Sequence, residues 1–154
     1  MKVIIDEREK LEYPFPNSIK LRLKTGDYSI EGYEQEITVE RKSLEDYIKS
    51  LTSERNRFKA EWKRLQDFEF KAVVVEGSLE EIEKLDNFEN ILGSTASLII
   101  DYKIPVIFAS TRQLAFKITE RLLELFYRHK TEKKRTKNET RSGSSKGHCF
   151  EDYL

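Results

Sequence analysis

"GDYSIEGYEQEITVERKSLED", residues 26–46, decides how the rest of the chain is read. Gly26-Asp27 leads into a short apolar run, EGYEQ turns the chain, and EITVERK returns as a second strand. Along a strand, i and i+2 share a face, so Thr38, Glu40 and Lys42 project together while Ile37, Val39 and Arg41 take the other side. A hairpin here brings Glu40 back beside Asp27, and Gly26 permits the bend that aims the acid off the sheet. KVIID, residues 2–6, reads as a buried strand that delivers Asp6 toward the same edge.

Two acids and a lysine in this arrangement are compatible with a metal site for cutting phosphodiesters, and equally with ordinary surface charge. Mg²⁺ polarises a phosphoryl oxygen and lowers the pKa of a bound water. It takes a few carboxylate oxygens and keeps several waters. Asp27 and Glu40 are the candidate ligands, with Asp6 as a further ligand or an acid behind them. Lys42 is the candidate to orient water or neutralise developing charge. Arg41 faces an acid across the sheet or a phosphate, and spacing leaves both open. The competing reading makes Asp27 a turn residue, Glu40 and Lys42 a solvated face, and Asp46 a helix cap. Charged residues are 36% of the chain, and the tripeptide acid-x-Lys occurs five times, so it carries no information alone. Of the five, Glu40-Arg41-Lys42 is the one that rides on a strand behind a Gly-Asp; Glu61-Trp62-Lys63 falls inside a helix, where i and i+2 diverge.

Working outward, IKLRLKTGDYSI alternates Ile19, Leu21 and Leu23 with Lys20, Arg22 and Lys24, predicting one half-buried strand with a basic face. Ser43 opens a helix whose apolar stripe, from Leu44 through Trp62 and Leu65, predicts one continuous element to about residue 67. FKAVVVEG reads as a strand buried on both faces. SLEEIEKL and FENILGSTASLIIDYK read as helices, IPVIFAS as a last strand, and Thr111 starts a final helix through about His129. The order predicts an α/β domain over residues 1–130, a mixed sheet flanked by helices. Residues 131–154 carry no apolar period and predict a disordered basic tail.

The 154 residues suit a single core. Formal charge balances to zero, so any nucleic-acid surface is a local patch. The lone Cys149 excludes a disulfide framework within the chain. The opening MKVIIDERE reaches Asp6 too early for a secretory leader, and no apolar run approaches the roughly 20 residues of a membrane span. An intracellular protein is expected, with no membrane partner. His129, His148 and Cys149 are too scattered for a zinc site.

Gly26-Asp27 followed by Glu40-Arg41-Lys42-x-x-x-Asp46 resembles the signature of the XPF/Mus81 (ERCC4-type) family of structure-selective nucleases. VIIDERE, SERNRFKAEWKRL, VVVEG and IPVIFAS resemble the remainder of that domain, so the likeness covers about residues 2–129. The resemblance implies a restriction-endonuclease-like core, Mg²⁺- or Mn²⁺-dependent hydrolysis, and branched, flapped or forked DNA as substrate. It implies catalytic roles for Asp6, Asp27, Glu40, Arg41, Lys42 and Asp46, with Arg8 and Glu9 as further matches. Family members usually continue into a tandem helix-hairpin-helix module, a pattern that residues 131–154 do not carry.

Candidate DNA contacts are Arg8, Lys20, Arg22, Lys24, Arg55, Arg57, Lys59, Lys63 and Arg64, against a solvated face paired with Glu54 and Glu61. The final helix is apolar round more than one face: Leu114, Ile118, Leu122 and Leu125 form one stripe, extended by Phe116, Leu123, Phe126 and Tyr127. Its surplus packs on the STASLII helix or forms a homodimer interface, the outcome that the family resemblance implies. The rival function is a non-catalytic DNA-binding scaffold on the same fold; a restriction-type duplex endonuclease is a third reading, disfavoured by the short connections.

Overall fold

The computed structural model describes residues 1–142. Its elements are β1 (Val3–Asp6), β2 (Ser18–Leu21), β3 (Tyr28–Ile30), β4 (Ile37–Ser43), α1 (Leu44–Leu51), α2 (Arg55–Leu65), β5 (Phe70–Glu76), α3 (Leu79–Glu83), α4 (Phe88–Ile100), β6 (Val106–Ala109) and α5 (Arg112–Ser142). Six strands form one mixed sheet in the order β2-β1-β3-β4-β5-β6. β3 runs antiparallel to β1 and β4, whereas β1–β2, β4–β5 and β5–β6 are parallel pairs.

Period 2 along the strands makes two cores. Val3, Ile5, Tyr28, Ile30, Ile37, Val39 and Val74 face α5 and meet Ala115 and Leu123. Val73 and Val75 face the other way and meet Tyr47, Leu51, Phe58, Trp62, Leu65, Ile91 and Leu98. The expectation that β5 is buried on both faces follows directly from this sandwich. α5 therefore lies alone on one side of the sheet, with α1, α2 and α4 on the other. Among the described residues no helix is long and apolar enough to cross a membrane.

The structure departs from the sequence expectations at four places. The single strand expected over residues 19–30 is two, β2 and β3. β2 is an edge strand on which Leu21 remains exposed, and Leu23 is buried instead because its N–H is drawn 2.7 Å onto the Asp6 carboxylate in the intervening loop. The long helix breaks at residues 52–54. No apolar residue lies between Leu51 and Phe58, and Thr52 turns its hydroxyl back onto the Ile48 carbonyl at 2.7 Å. The surplus apolar face of α5 cannot reach α4, which lies across the sheet. Ile118, Leu122 and Phe126 pack into the chain's own core, leaving Leu114 and Leu125 about half exposed.

Finally, α5 runs to Ser142 rather than ending near His129, so residues 131–142 are helical and not a disordered tail. Lys130 pairs with Glu36 and Glu69 at the lower end of the sheet, and Lys134 donates to the Tyr33 hydroxyl at 2.9 Å while resting 4.7 Å above its ring. Those anchors, with the helix propensity of Lys, Glu and Arg, replace the missing apolar stripe. Residues 143–154 of the expected tail, with His148 and Cys149, lie outside the described residues.

Candidate active site

Three neighbouring strands present their acids in a row on the sheet face that α2 covers. β1 ends at Asp6, whose N–H donates to the Asp27 carbonyl at 2.8 Å, and the Asp27 N–H donates to the Val39 carbonyl at 3.0 Å. Glu40 follows on β4, with Lys42 on the same face and its ammonium 3.1 Å from Glu40 Oε1. The turn before Asp27 requires glycine. Gly26 sits at φ +86°, and a Cβ there would fall 1.8 Å from Thr38 Oγ1, which donates to the Thr25 carbonyl at 2.8 Å. Thr25 Oγ1 is itself buried without a hydrogen-bond partner.

These groups line a cleft of about 530 Å³ together with Glu9, Arg41, Asp46, Phe58 and Glu61. Cations rim it: Arg8, Lys24, Lys49, Arg57 and Arg64. Burial raises the Asp27 carboxyl first, and the charges of Glu9 and Glu61 add to it, against the Arg41 N–H and Lys42; the result is about 7. Burial, then Asp27, then Glu61 push Glu40 well above the ordinary carboxylate range, and Lys42 only partly offsets them. Lys42 behaves oppositely. Burial alone would lower it, but Glu40, Glu61 and Asp27 hold it above its ordinary value, so it is an ammonium and not a base at neutral pH.

Asp6 lies beside this pair, but its oxygens are already engaged. Oδ1 accepts from the Arg8 backbone N–H at 3.0 Å and from Arg8 Nε at 2.7 Å, and Oδ2 accepts from Arg8 Nη2 at 3.1 Å and the Leu23 N–H at 2.7 Å. Burial opposes ionisation, yet these donors hold Asp6 below its ordinary value. It closes the β1–loop corner rather than offering free lone pairs to a ligand. Arg41 points to the opposite sheet face and binds Glu76 through Nε at 2.7 Å and Nη2 at 3.0 Å, with Nη1 at 3.7 Å from Glu9. Its backbone N–H reaches Asp27 Oδ2 at 2.7 Å. The choice left open by spacing thus falls to an acid across the sheet. Asp46 accepts from Ser43 Oγ at 2.9 Å, and its N–H donates back to that hydroxyl, so it caps α1 while lining the cleft.

Of the nine candidate DNA contacts, four line the cleft: Arg8, Lys24, Arg57 and Arg64; Lys49, also on its lining, was missed. Lys20 pairs with Glu12, Arg22 with Glu7, and Arg55 donates to Ser94 on α4. Lys59 and Lys63 are exposed on α2 outside the cleft lining. Sequence reasoning also missed Glu61 as a cleft residue, having paired it with basic residues at helical spacing.

The donor set suits a hard divalent cation. Asp27 and Glu40 offer carboxylate oxygens on one sheet face, within the same cleft. Among the described residues no three His, Cys, Asp or Glu converge tightly enough to enclose a metal. The fit is to an ion that keeps most of its waters, such as Mg²⁺ or Mn²⁺, and not to zinc.

The sequence pattern of the ERCC4 domain matches residues 5–141. A protein of Methanocaldococcus jannaschii that carries the description of an ATP-dependent RNA helicase is 34% identical over 130 residues, covering 79% of this chain and 16% of that protein. XPF from Aeropyrum pernix superposes with a TM-score of 0.68 at 26% identity, covering 81% of this chain and 61% of that one. The same protein in complex with DNA gives a TM-score of 0.69 at 26% identity, covering 82% and 65%. The chain spans less than two thirds of each of these relatives.

Proposed function

The chain belongs to the ERCC4 domain family, and from that premise we propose that it is a metal-dependent endodeoxyribonuclease acting on branched, flapped or forked DNA. The observation that carries this reading is the placement of Asp27, Glu40 and Lys42 on one sheet face, in a cleft rimmed by five cations. Asp27 and Glu40 would hold the hydrated Mg²⁺ or Mn²⁺, which when bound supplies a more acidic water and a counter-charge for the scissile phosphate. Lys42 keeps its ammonium next to Glu40 and donates hydrogen bonds toward developing negative charge. Arg8, Lys24, Lys49, Arg57 and Arg64 bind backbone phosphates and carry no base readout. The relative solved with DNA supports a nucleic-acid ligand.

The test is cleavage of labelled flap, fork, junction and linear duplex DNA in Mg²⁺, Mn²⁺ or EDTA. Branched substrates are expected to be cut in preference to the linear duplex, with activity lost in EDTA and weakened by salt as phosphate contacts are screened. Binding of the same substrates without incision under every condition would support the scaffold reading instead.

The same reading includes a two-fold homodimer. Leu114 and Ile118 of α5, Leu79, and Ile107 and Phe108 of the edge strand β6 line a second, apolar cleft of about 380 Å³. Leu79 and Leu114 are each 49% exposed, which is the surface that pairing would cover. Light scattering should give twice the chain mass, and Leu114→Glu should return the monomer mass; a monomer at every concentration removes the dimer.

A further inference from the structure

α2 brings a third carboxylate to the cleft. The Lys42 ammonium lies 4.2 Å from the centroid of the Phe58 ring, which fixes the α2 face that looks into the site. Three residues on, Glu61 falls on that same face. It is half-buried and lines the cleft with Asp27, Glu40 and Lys42, and its charge acts on all three.

Glu61 does not play the part that helical spacing suggests. Among the described residues it enters no ion pair and no hydrogen bond, and the nearby Arg57 is paired with Glu54 at 3.5 Å. Its carboxylate opens into the cleft, where it can accept hydrogen bonds from water held there. Facing it are two further acids and one lysine, with the buried Thr25 Oγ1 also lacking a partner on the cleft's lining. This wall calls for a positive or donor-rich ligand. Among the described residues no three acids converge to enclose an ion, so a link from Glu61 to an ion on Asp27 and Glu40 would run through water.

We propose that Glu61 is a positioning residue for the divalent cation that Asp27 and Glu40 would hold, accepting hydrogen bonds from the ion's waters. The inference rests on the reading of the cleft as a metal site, and deepens it by giving α2 a role that the Gly-Asp and Glu-Arg-Lys motifs do not contain. Outer partners of this kind orient bound water, and their loss weakens metal affinity by about 10–100-fold.

The experiment titrates Mn²⁺ into metal-stripped protein, read by calorimetry and by the loss of free-ion paramagnetic resonance signal. The proteins are wild type, Glu61→Gln, Glu61→Asp, Asp27→Asn, and Glu89→Gln as an exposed acid on α4. Glu61→Gln should weaken Mn²⁺ binding by about 10–100-fold, with Glu61→Asp recovering part of it and Glu89→Gln unchanged. Asp27→Asn should lose the ion. The metal-free melting temperature of Glu61→Gln should equal or exceed that of wild type, since a like charge has left the cluster. Wild-type Mn²⁺ affinity in Glu61→Gln, with binding lost in Asp27→Asn, overturns the role of Glu61 and leaves the metal site standing. A lowered metal-free melting temperature assigns Glu61 to the fold and also overturns the proposal. Absence of Mn²⁺ binding by wild type overturns both readings.

Discussion

Glu40→Gln and Lys42→Ala are each expected to lower metal-dependent DNA cleavage by roughly 10³-fold, measured in single-turnover reactions on a labelled flap substrate. Glu40 is one of two carboxylates available to the cation, and an amide cannot supply the charge that holds it. Lys42 is the ammonium on the same sheet face, at 3.1 Å from Glu40, and no other cation shares that face of β4. A second, opposite effect separates function from folding. The folded protein holds the Glu40 proton more tightly than the unfolded chain does, because burial and Asp27 raise its carboxyl. As pH rises from the ordinary carboxylate range through the folded value, ionising Glu40 costs stability. Gln removes that cost. In EDTA at neutral pH, Glu40→Gln should therefore melt no lower than wild type while cutting far more slowly. Cleavage that persists in the folded variant would move the site elsewhere; a clear drop in metal-free melting temperature would make Glu40 a structural residue.

The site was legible where the local code is short. Period 2 puts Glu40 and Lys42 on one face, and a hairpin returns Asp27 to them, with Gly26 marking a backbone position that rejects a side chain. What sequence could not show was set by partners far along the chain. Arg41 was placed on the opposite face by the same periodicity, but its acid, Glu76, is 35 residues on and arrives through the parallel β4–β5 register. Spacing left Asp6 as a further ligand or an acid behind the pair, because nothing local announces the Leu23 N–H that it accepts. The layered α/β fold was legible in the strand and helix periods. The extension of α5 was not, since its anchors are two lysines on Glu36, Glu69 and Tyr33, and charge-rich composition alone reads as solvated tail.

On the other face of β4, Glu76→Ala should cost about 3–5 kcal/mol of stability, because it removes the closest partner of the Arg41 charge beneath α5. The Arg41 and Glu76 side chains are only 11% and 15% exposed, so water cannot replace the lost contact. Glu76 Oε1 alone accepts from Tyr13 Oη at 2.8 Å, Arg41 Nε at 2.7 Å and Arg112 Nη1 at 3.2 Å. Arg112 in turn donates to the Leu11 and Glu12 carbonyls at 2.7 and 2.8 Å, tying the start of α5 to the loop after β1. Glu76→Gln, which keeps an oxygen for Tyr13 but removes the charge opposite Arg41, should cost about 1–3 kcal/mol. Urea unfolding followed through Trp62, the single tryptophan and 3% exposed, measures both. The pH dependence distinguishes charge from packing. Burial alone would raise Glu76, but Arg41, Tyr13 and Arg112 together hold it below its ordinary 4.5. Its contribution is therefore complete above that value and is lost as pH falls through the lower folded one. The gap between wild type and Glu76→Gln should be constant from pH 5 to 7 and close as the solution is acidified and the wild-type carboxyl takes up its proton. A gap that stays constant down to acid pH would mean that Glu76 acts by shape alone and not through its charge opposite Arg41.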